Sequence, residues 1–212
     1  MGKLVVDLSS NNPKPNFRTL KNSGVEGVIL KISEGASYNA SWDVYSDWSA
    51  EARSAGLRVG AYHYAKPSGG DARAEALNFS KSLKRAGGIK RRDFRPALDL
   101  EESNIVYSQL YNWARTFNQT VREQGLPTPL FYSYPYFISH MNAPKPIGNG
   151  LWLASYGRND GKRYAYKVPH PWQKVHLHQY TSRGRLAGVY PLDINYIESL
   201  RAILAHPIIG LV

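Results

Sequence analysis

The sequence predicts a single irregular (β/α) barrel, TIM-like, with fewer helices in its second half. Three features carry this. Short apolar runs recur along the chain, amphipathic stretches separate several of them, and after Ser133 the connections turn rich in Gly and Pro. Alternating strands and helices argue for parallel strands covered by helices. An open, doubly wound sheet is the other arrangement of the same elements.

The apolar runs come in order. Leu4–Leu8 reads as the first strand and Gly27–Ile32 as the second. Leu57–Tyr64, Pro96–Glu101, Pro129–Ser133, Leu151–Ser155 and Val175–Tyr180 complete the series, each bounded by Gly, Pro or polar residues. Helical spacing lies between them. Tyr45, Trp48, Ala52 and Ala55 share a face, with Gly56 as a stop. Ala76, Phe79, Leu83 and Ala86 repeat that spacing, as do Leu110, Trp113, Phe117 and Val121. No good helix is expected between Ser133 and Tyr196, and Ile197–Ala205 reads as a closing helix. Gly69-Gly70 reads as a turn. With no linker, repeat or low-complexity segment, residues 1–212 are expected to form one domain without an appended binding module.

Composition narrows the chemistry. With no cysteine among 212 residues, disulfide scaffolds, thiolate metal sites and cysteine nucleophiles are excluded. The net charge of +11 favours anionic partners through long-range attraction. No basic stripe interleaves with aromatics, so nucleic acid is not the expected partner. No run is long enough to cross a bilayer, and Leu4–Val6 is too short for a secretory signal core. No G-x-S-x-G elbow or Gly-rich phosphate loop is present.

Four acids end or follow apolar runs: Asp7, Asp99, Glu101 and Asp193. In a parallel barrel, functional groups gather at the C-terminal rim of the strands. Within a strand, residues two apart share a face, so Ala97, Asp99 and Glu101 point one way and Leu98 and Leu100 the other. Neighbouring carboxyls resist simultaneous ionisation, which keeps one protonated, as a general acid for glycosidic cleavage requires. Singly, each acid also has a bland reading. Asp7 suits a turn, Glu34 a loop before Gly35, Asp193 a helix cap, and Glu101-Glu102 the opening of a polar loop. His176 and His178 form H-x-H and His63 lies on another run. With the acids they open the alternative of a metal-dependent barrel hydrolase, although buried, hydrogen-bonded histidines are the commoner outcome.

Taken together, these segments resemble glycoside hydrolase family 25, the Chalaropsis-type lysozymes. Asp7-Leu8-Ser9-Ser10-Asn11-Asn12 is similar to the family's opening D-x-S motif. Lys31 to Gly35 resembles its K-x-x-E-G ending, Gly60-Ala61-Tyr62-His63-Tyr64 its G-x-Y-H-aromatic strand, and Asp99-Leu100-Glu101 its D-x-E. Leu151 to Tyr156, Gln179-Tyr180-Thr181 and Asp193-Ile194-Asn195 resemble later strands. Two positions depart from the pattern: Asn12 stands where the family often has Gln, and His178 where an aromatic precedes Q-Y-T, so one sugar-facing wall is expected to differ.

The resemblance implies a muramidase that hydrolyses the β-1,4 bond between N-acetylmuramic acid and N-acetylglucosamine in bacterial peptidoglycan, with retention of configuration. It implies Glu101 as general acid. Asp99 is its partner, either stabilising positive charge or orienting the substrate's acetamido group. Asp7 and Asp193 line the cleft, and Glu34, Tyr62, Tyr64, Tyr132 and Trp152 form subsites. It implies no metal or cofactor, a monomer acting on the cell wall as a phage endolysin or exported enzyme, and anionic wall polymers as further partners. A non-catalytic peptidoglycan-binding barrel is the alternative from another class.

Overall fold

The computed structural model describes residues 3–37, 42–68 and 71–205, so the expected turn at Gly69-Gly70 lies outside the described residues. Eight strands close into one barrel in sequence order. They are β1 (Leu4–Leu8), β2 (Val25–Glu34), β3 (Arg58–Tyr64), β4 (Ala97–Asp99), β5 (Leu130–Ser133), β6 (Leu151–Ala154), β7 (Leu177–Leu186) and β8 (Val189–Ile197). β1 to β7 run parallel, whereas β8 runs antiparallel to both β7 and β1 and closes the ring. Closure replaces the open-sheet alternative, and among the described residues no strand edge is left over.

Helices α1 (Phe17–Asn22), α2 (Trp42–Ser54), α3 (Ala72–Arg85), α4 (Tyr107–Glu123), α5 (Pro135–Met141) and α6 (Leu200–Ile203) lie outside. The apolar stripes expected on α3 and α4 are buried: Ala76, Phe79 and Leu83, and Leu110, Trp113, Phe117 and Val121. Among the described residues no helix is long and apolar enough to cross a membrane.

Three expectations change. A short helix, α5, does follow Ser133. Pro135 sits in its first turn, where a missing N–H costs nothing, and left-handed Asn142 ends it. The closing helix shrinks to Leu200–Ile203, because Ile197 belongs to β8 and Leu204 bridges Phe94. Finally, β8 was not expected as a strand, since Pro191 and Asp193 mask its alternation. It pairs with β7 through a two-residue turn, Ala187-Gly188, both at positive φ (52° and 80°), the conformation that suits strand twist.

The core has two layers. Val5, Ile29, Phe94, Ala97, Leu130, Trp152 and Leu177 fill the barrel, while Val6, Leu8, Leu98 and Leu100 face outward into the helix layer. Gly27 makes the lower plug possible: a Cβ there would stand 2.5 Å from the Phe94 ring and 2.5 Å from the Arg58 carbonyl.

Candidate active site

Strand alternation delivers the acids. On β1, Val5 and Asp7 point inward because Val6 and Leu8 pack outward. On β4, Ala97 and Asp99 point inward, and Leu98 and Leu100 face the helices, as the period of two requires. Asp193 corrects the sequence reading. It neither ends a strand nor caps a helix, but lies within β8, directly opposite Asp7. Because β8 runs backwards, its first half reaches the rim where the parallel strands finish. Lateral register does the rest, placing Glu34 beside Tyr64, Tyr64 beside Asp99, Asp99 beside Tyr132 and Tyr132 beside Trp152.

A cleft of about 490 Å³ opens at this rim. Its lining includes Asp7, Asp99, Glu101 and Asp193 together with Glu34, Tyr62, Tyr64, Tyr132 and Trp152, the nine residues singled out from sequence. A larger groove of about 570 Å³ on the α4 flank holds Arg115, Arg122 and Lys145 but only one acid, Glu123, so volume alone does not locate the chemistry. The aromatics divide by depth. Trp152 and Tyr132 are 2% and 6% exposed and form the floor, their rings edge to face at 4.6 Å. Tyr62 and Tyr64 are partly open and flank the mouth.

Burial governs the acids. It pushes Asp7 up to about 6, with hydrogen bonds from Asn195 and Gln179 pulling the other way. Burial, then the charges of Asp7 and Glu101, push Asp193 up to about 8. Asp99 is held well above the usual carboxylate range by burial and by Glu101 and Asp7, and its Oδ1 has no hydrogen-bond partner among the described residues. Glu101 is raised by burial, then by Asp7 and Glu102. Crowding and desolvation of this kind raise the proton affinity of carboxyls.

The neighbouring acid behaves oppositely. Burial, the largest single influence, raises Glu102, but Lys66 Nζ at 2.6 Å and the Tyr64 hydroxyl at 2.8 Å donate to it and, with the charges of Lys66 and Lys31, hold it below the usual range. Glu34 is likewise more than a loop residue. It pairs with Lys31 and lies 3.6 Å from Lys66, while both lysines sit over the Tyr64 ring. One rim carboxylate is thus paired with cations, while Glu101 beside it is raised by burial and by Asp7.

Sequence reasoning missed several cleft residues: Lys31, Lys66, Tyr156, Gln179 and Ser182 all line it. Gln179 was legible as the inward partner of Leu177 two residues earlier on β7; its partners were not. The departures resolve differently from expectation. Asn12 accepts from the Ser9 backbone N–H at 2.8 Å and closes a turn, leaving Ser9 and Asn11 to line the cleft. His178 is no part of the sugar-facing wall. It faces outward, packs on Tyr166 at 4.3 Å, and meets the Ser155 carbonyl at 2.8 Å. The three strand histidines do not converge either. His176 accepts from the Leu151 N–H, and His63 sits between Ser33 and Glu75 at 2.9 and 2.8 Å. Burial lowers His63 to about 3 and raises Glu75 to about 8, which favours a hydrogen-bonded pair without charge behind the barrel wall.

Crowded, desolvated acids at the C-terminal rim of a barrel are the arrangement that acid-catalysed glycoside hydrolysis uses. The profile of glycosyl hydrolases family 25 matches residues 6–189, and the chain belongs to that family. Among relatives, the chain is 29% identical over 154 residues to the autolytic lysozyme of Clostridium acetobutylicum, covering 72% of this chain and 44% of that one. It is 26% identical over 200 residues to lysozyme M1 of Streptomyces globisporus, covering 87% and 63%. The chain therefore spans less than two thirds of the length of these relatives. Among solved structures, the bacterial lysozyme from Streptomyces coelicolor superposes with a TM-score of 0.82 at 24% identity, covering 98% of this chain and 97% of that one. The catalytic domain of an endolysin from bacteriophage P40 of Listeria monocytogenes gives 0.77 at 26%, covering 94% of each.

Proposed function

We propose that the chain is a muramidase that hydrolyses the β-1,4 bond between N-acetylmuramic acid and N-acetylglucosamine in bacterial peptidoglycan. The observation that carries this is the convergence of Asp99 and Glu101 with Asp7 and Asp193 in one buried cleft of a family 25 barrel. Glu101 is the general acid: its proton passes to the leaving glycosidic oxygen as the C1–O bond breaks. Asp99 faces the positive charge that develops at C1 or orients the acetamido group toward it. Water then supplies hydroxide to C1 and returns a proton to Glu101. Water is the sole co-substrate in this scheme. Glu34, Tyr62 and Tyr64 line the mouth as subsite walls, and Trp152 and Tyr132 support the floor.

The barrel is the catalytic unit, working as a monomer at the cell wall. Its positive charge draws it to anionic wall polymers. Mass spectrometry of sugar ends released from purified walls tests the reading. New reducing ends on muramic acid support it. Ends on glucosamine, freed amino termini, or binding without cleavage overturn it.

A further inference from the structure

Asp7 sits between two primary amides whose other partners determine how they are turned. Asn195 Nδ2 donates to Asp7 Oδ2 at 2.6 Å and to the Val5 carbonyl at 3.1 Å. Asn195 Oδ1 accepts from Trp152 Nε1 at 2.6 Å. An indole N–H only donates and a peptide carbonyl only accepts. Asn195 therefore has one satisfied orientation, and it presents a donor to Asp7.

Gln179 is the second amide. Its Nε2 spans both Asp7 oxygens at 3.0 Å each, and its Oε1 accepts from the Tyr132 and Tyr156 hydroxyls at 2.9 and 2.6 Å. Phenols donate or accept, so Gln179 has two self-consistent settings. In one, Nε2 faces an ionised Asp7 and both phenols donate. In the other, Oε1 faces Asp7, which must then carry a proton on Oδ1, and both phenols accept. Only the first setting gives both phenol protons their acceptor, Gln179 Oε1, and in that setting Asp7 is ionised and accepts from both amides. Asn195 and Gln179 are 0% and 2% exposed, so a lost partner there is a buried loss.

We propose that Asn195 and Gln179 are positioning residues that hold Asp7 as the ionised member of the acid cleft, its charge steering the working proton to the Asp99–Glu101 side. The titratable groups around Asp7 fit this division. Asp193 on β8, Asp99 and Glu101 at the end of β4, Tyr62 on β3, Tyr132 on β5 and Tyr156 beyond β6 share its cleft, while Lys31 on β2 acts on Asp99 and Glu101. Of the acids, Asp7 alone has two amide donors that favour its charged form, and its charge in turn raises Glu101. The role rests on the reading of Glu101 as general acid.

The test is a carbon-13 carboxyl titration of Asp7 by NMR, run beside the pH profile of kcat/KM on soluble glycan fragments. In Gln179→Met, which keeps length but removes donor and acceptor, the Asp7 midpoint is expected to rise by about one pH unit, a tenfold gain in proton affinity. The alkaline limb of the profile moves toward acid, because an uncharged Asp7 no longer raises Glu101. The paired substitution Tyr132→Phe with Tyr156→Phe keeps ring volume and frees Gln179 to turn, and moves both readouts the same way. Tyr156→Phe alone leaves one phenol in place and moves them less. This pair carries the test if Gln179→Met does not fold. An unmoved Asp7 midpoint, or activity that falls equally at every pH with both limbs in place, overturns the proposal. A chain that releases no sugar ends but shows the Asp7 shift keeps the amide lock and loses the muramidase reading. A chain that cleaves without the shift does the reverse.

Discussion

The two rims of the barrel treat buried acids in opposite ways. At the N-terminal rim, Glu26 at the start of β2 meets Arg58 Nε at 2.8 Å, and Arg58 also donates to the Arg92 carbonyl. Asp93 accepts from Arg53 at 2.8 and 3.3 Å and from the Lys90 N–H at 2.8 Å. Each buried acid there is answered by an arginine. At the C-terminal rim, Asp7 receives amides only, Asp99 keeps an unpartnered oxygen, and Asp193 is pushed up to about 8. One rim satisfies its charges for stability. The other leaves them crowded, a destabilising arrangement of the kind the proposed proton donor needs.

That contrast can be broken at either end. The largest effect is on turnover: Glu101→Gln removes the proposed proton donor and is expected to lower kcat by about 10²–10⁴-fold, with the melting temperature kept or raised. Wall-turbidity and calorimetry on the same preparation check both. Next, Arg58→Met strands Glu26 without its partner and is expected to cost about 3–5 kcal/mol, read from urea unfolding, with little direct effect on cleft chemistry.

Asp193→Asn sharpens the comparison with the opposite sign. It relieves crowding, and is expected to stabilise the fold by on the order of 1 kcal/mol, about 2–4 °C in melting temperature near neutral pH, while reducing turnover. The pH dependence follows from the direction of the shifts. Asp7 and Asp193 bind protons more tightly folded than unfolded. Their stabilising effect is therefore complete below the ordinary carboxylate range, and is lost as pH rises through about 6 and about 8 respectively. Between about pH 5 and pH 8 the wild type should lose stability more steeply than Asp193→Asn, measured by melts at matched ionic strength. The smallest effect is global. If net charge draws the chain to walls, raising salt should weaken lysis of whole walls while sparing cleavage of soluble fragments, because screening acts on long-range attraction. Equal salt dependence for both substrates would remove that role.

Much of the cleft was legible because inward and outward positions alternate with period two. Leu98 and Leu100 face the helices, which commits Asp99 to the interior and turns Glu101 toward the same side. What stayed hidden depended on partners far along the chain. The sequence gives no sign that Glu102 is paired with Lys66 and Tyr64 while Glu101 beside it faces Asp7, since which way each of two adjacent carboxyls turns is set by partners brought up in the fold. His178 was misplaced for a related reason. Its place where the family has an aromatic before Q-Y-T suggested the sugar wall, yet it faces away from Gln179, because neighbours on a strand face opposite ways.

By itself the sequence determined the strand-and-helix alternation, the faces of β1 and β4, and the set of acids at one rim, all written in local periodicity. Only the tertiary structure decided that β8 runs backwards and sets Asp193 opposite Asp7. It also decided that amides 172 and 188 positions away hold the Asp7 carboxylate. Strand direction and amide orientation are set by hydrogen-bond partners that meet only when the barrel closes, and closure is a property of all eight strands together.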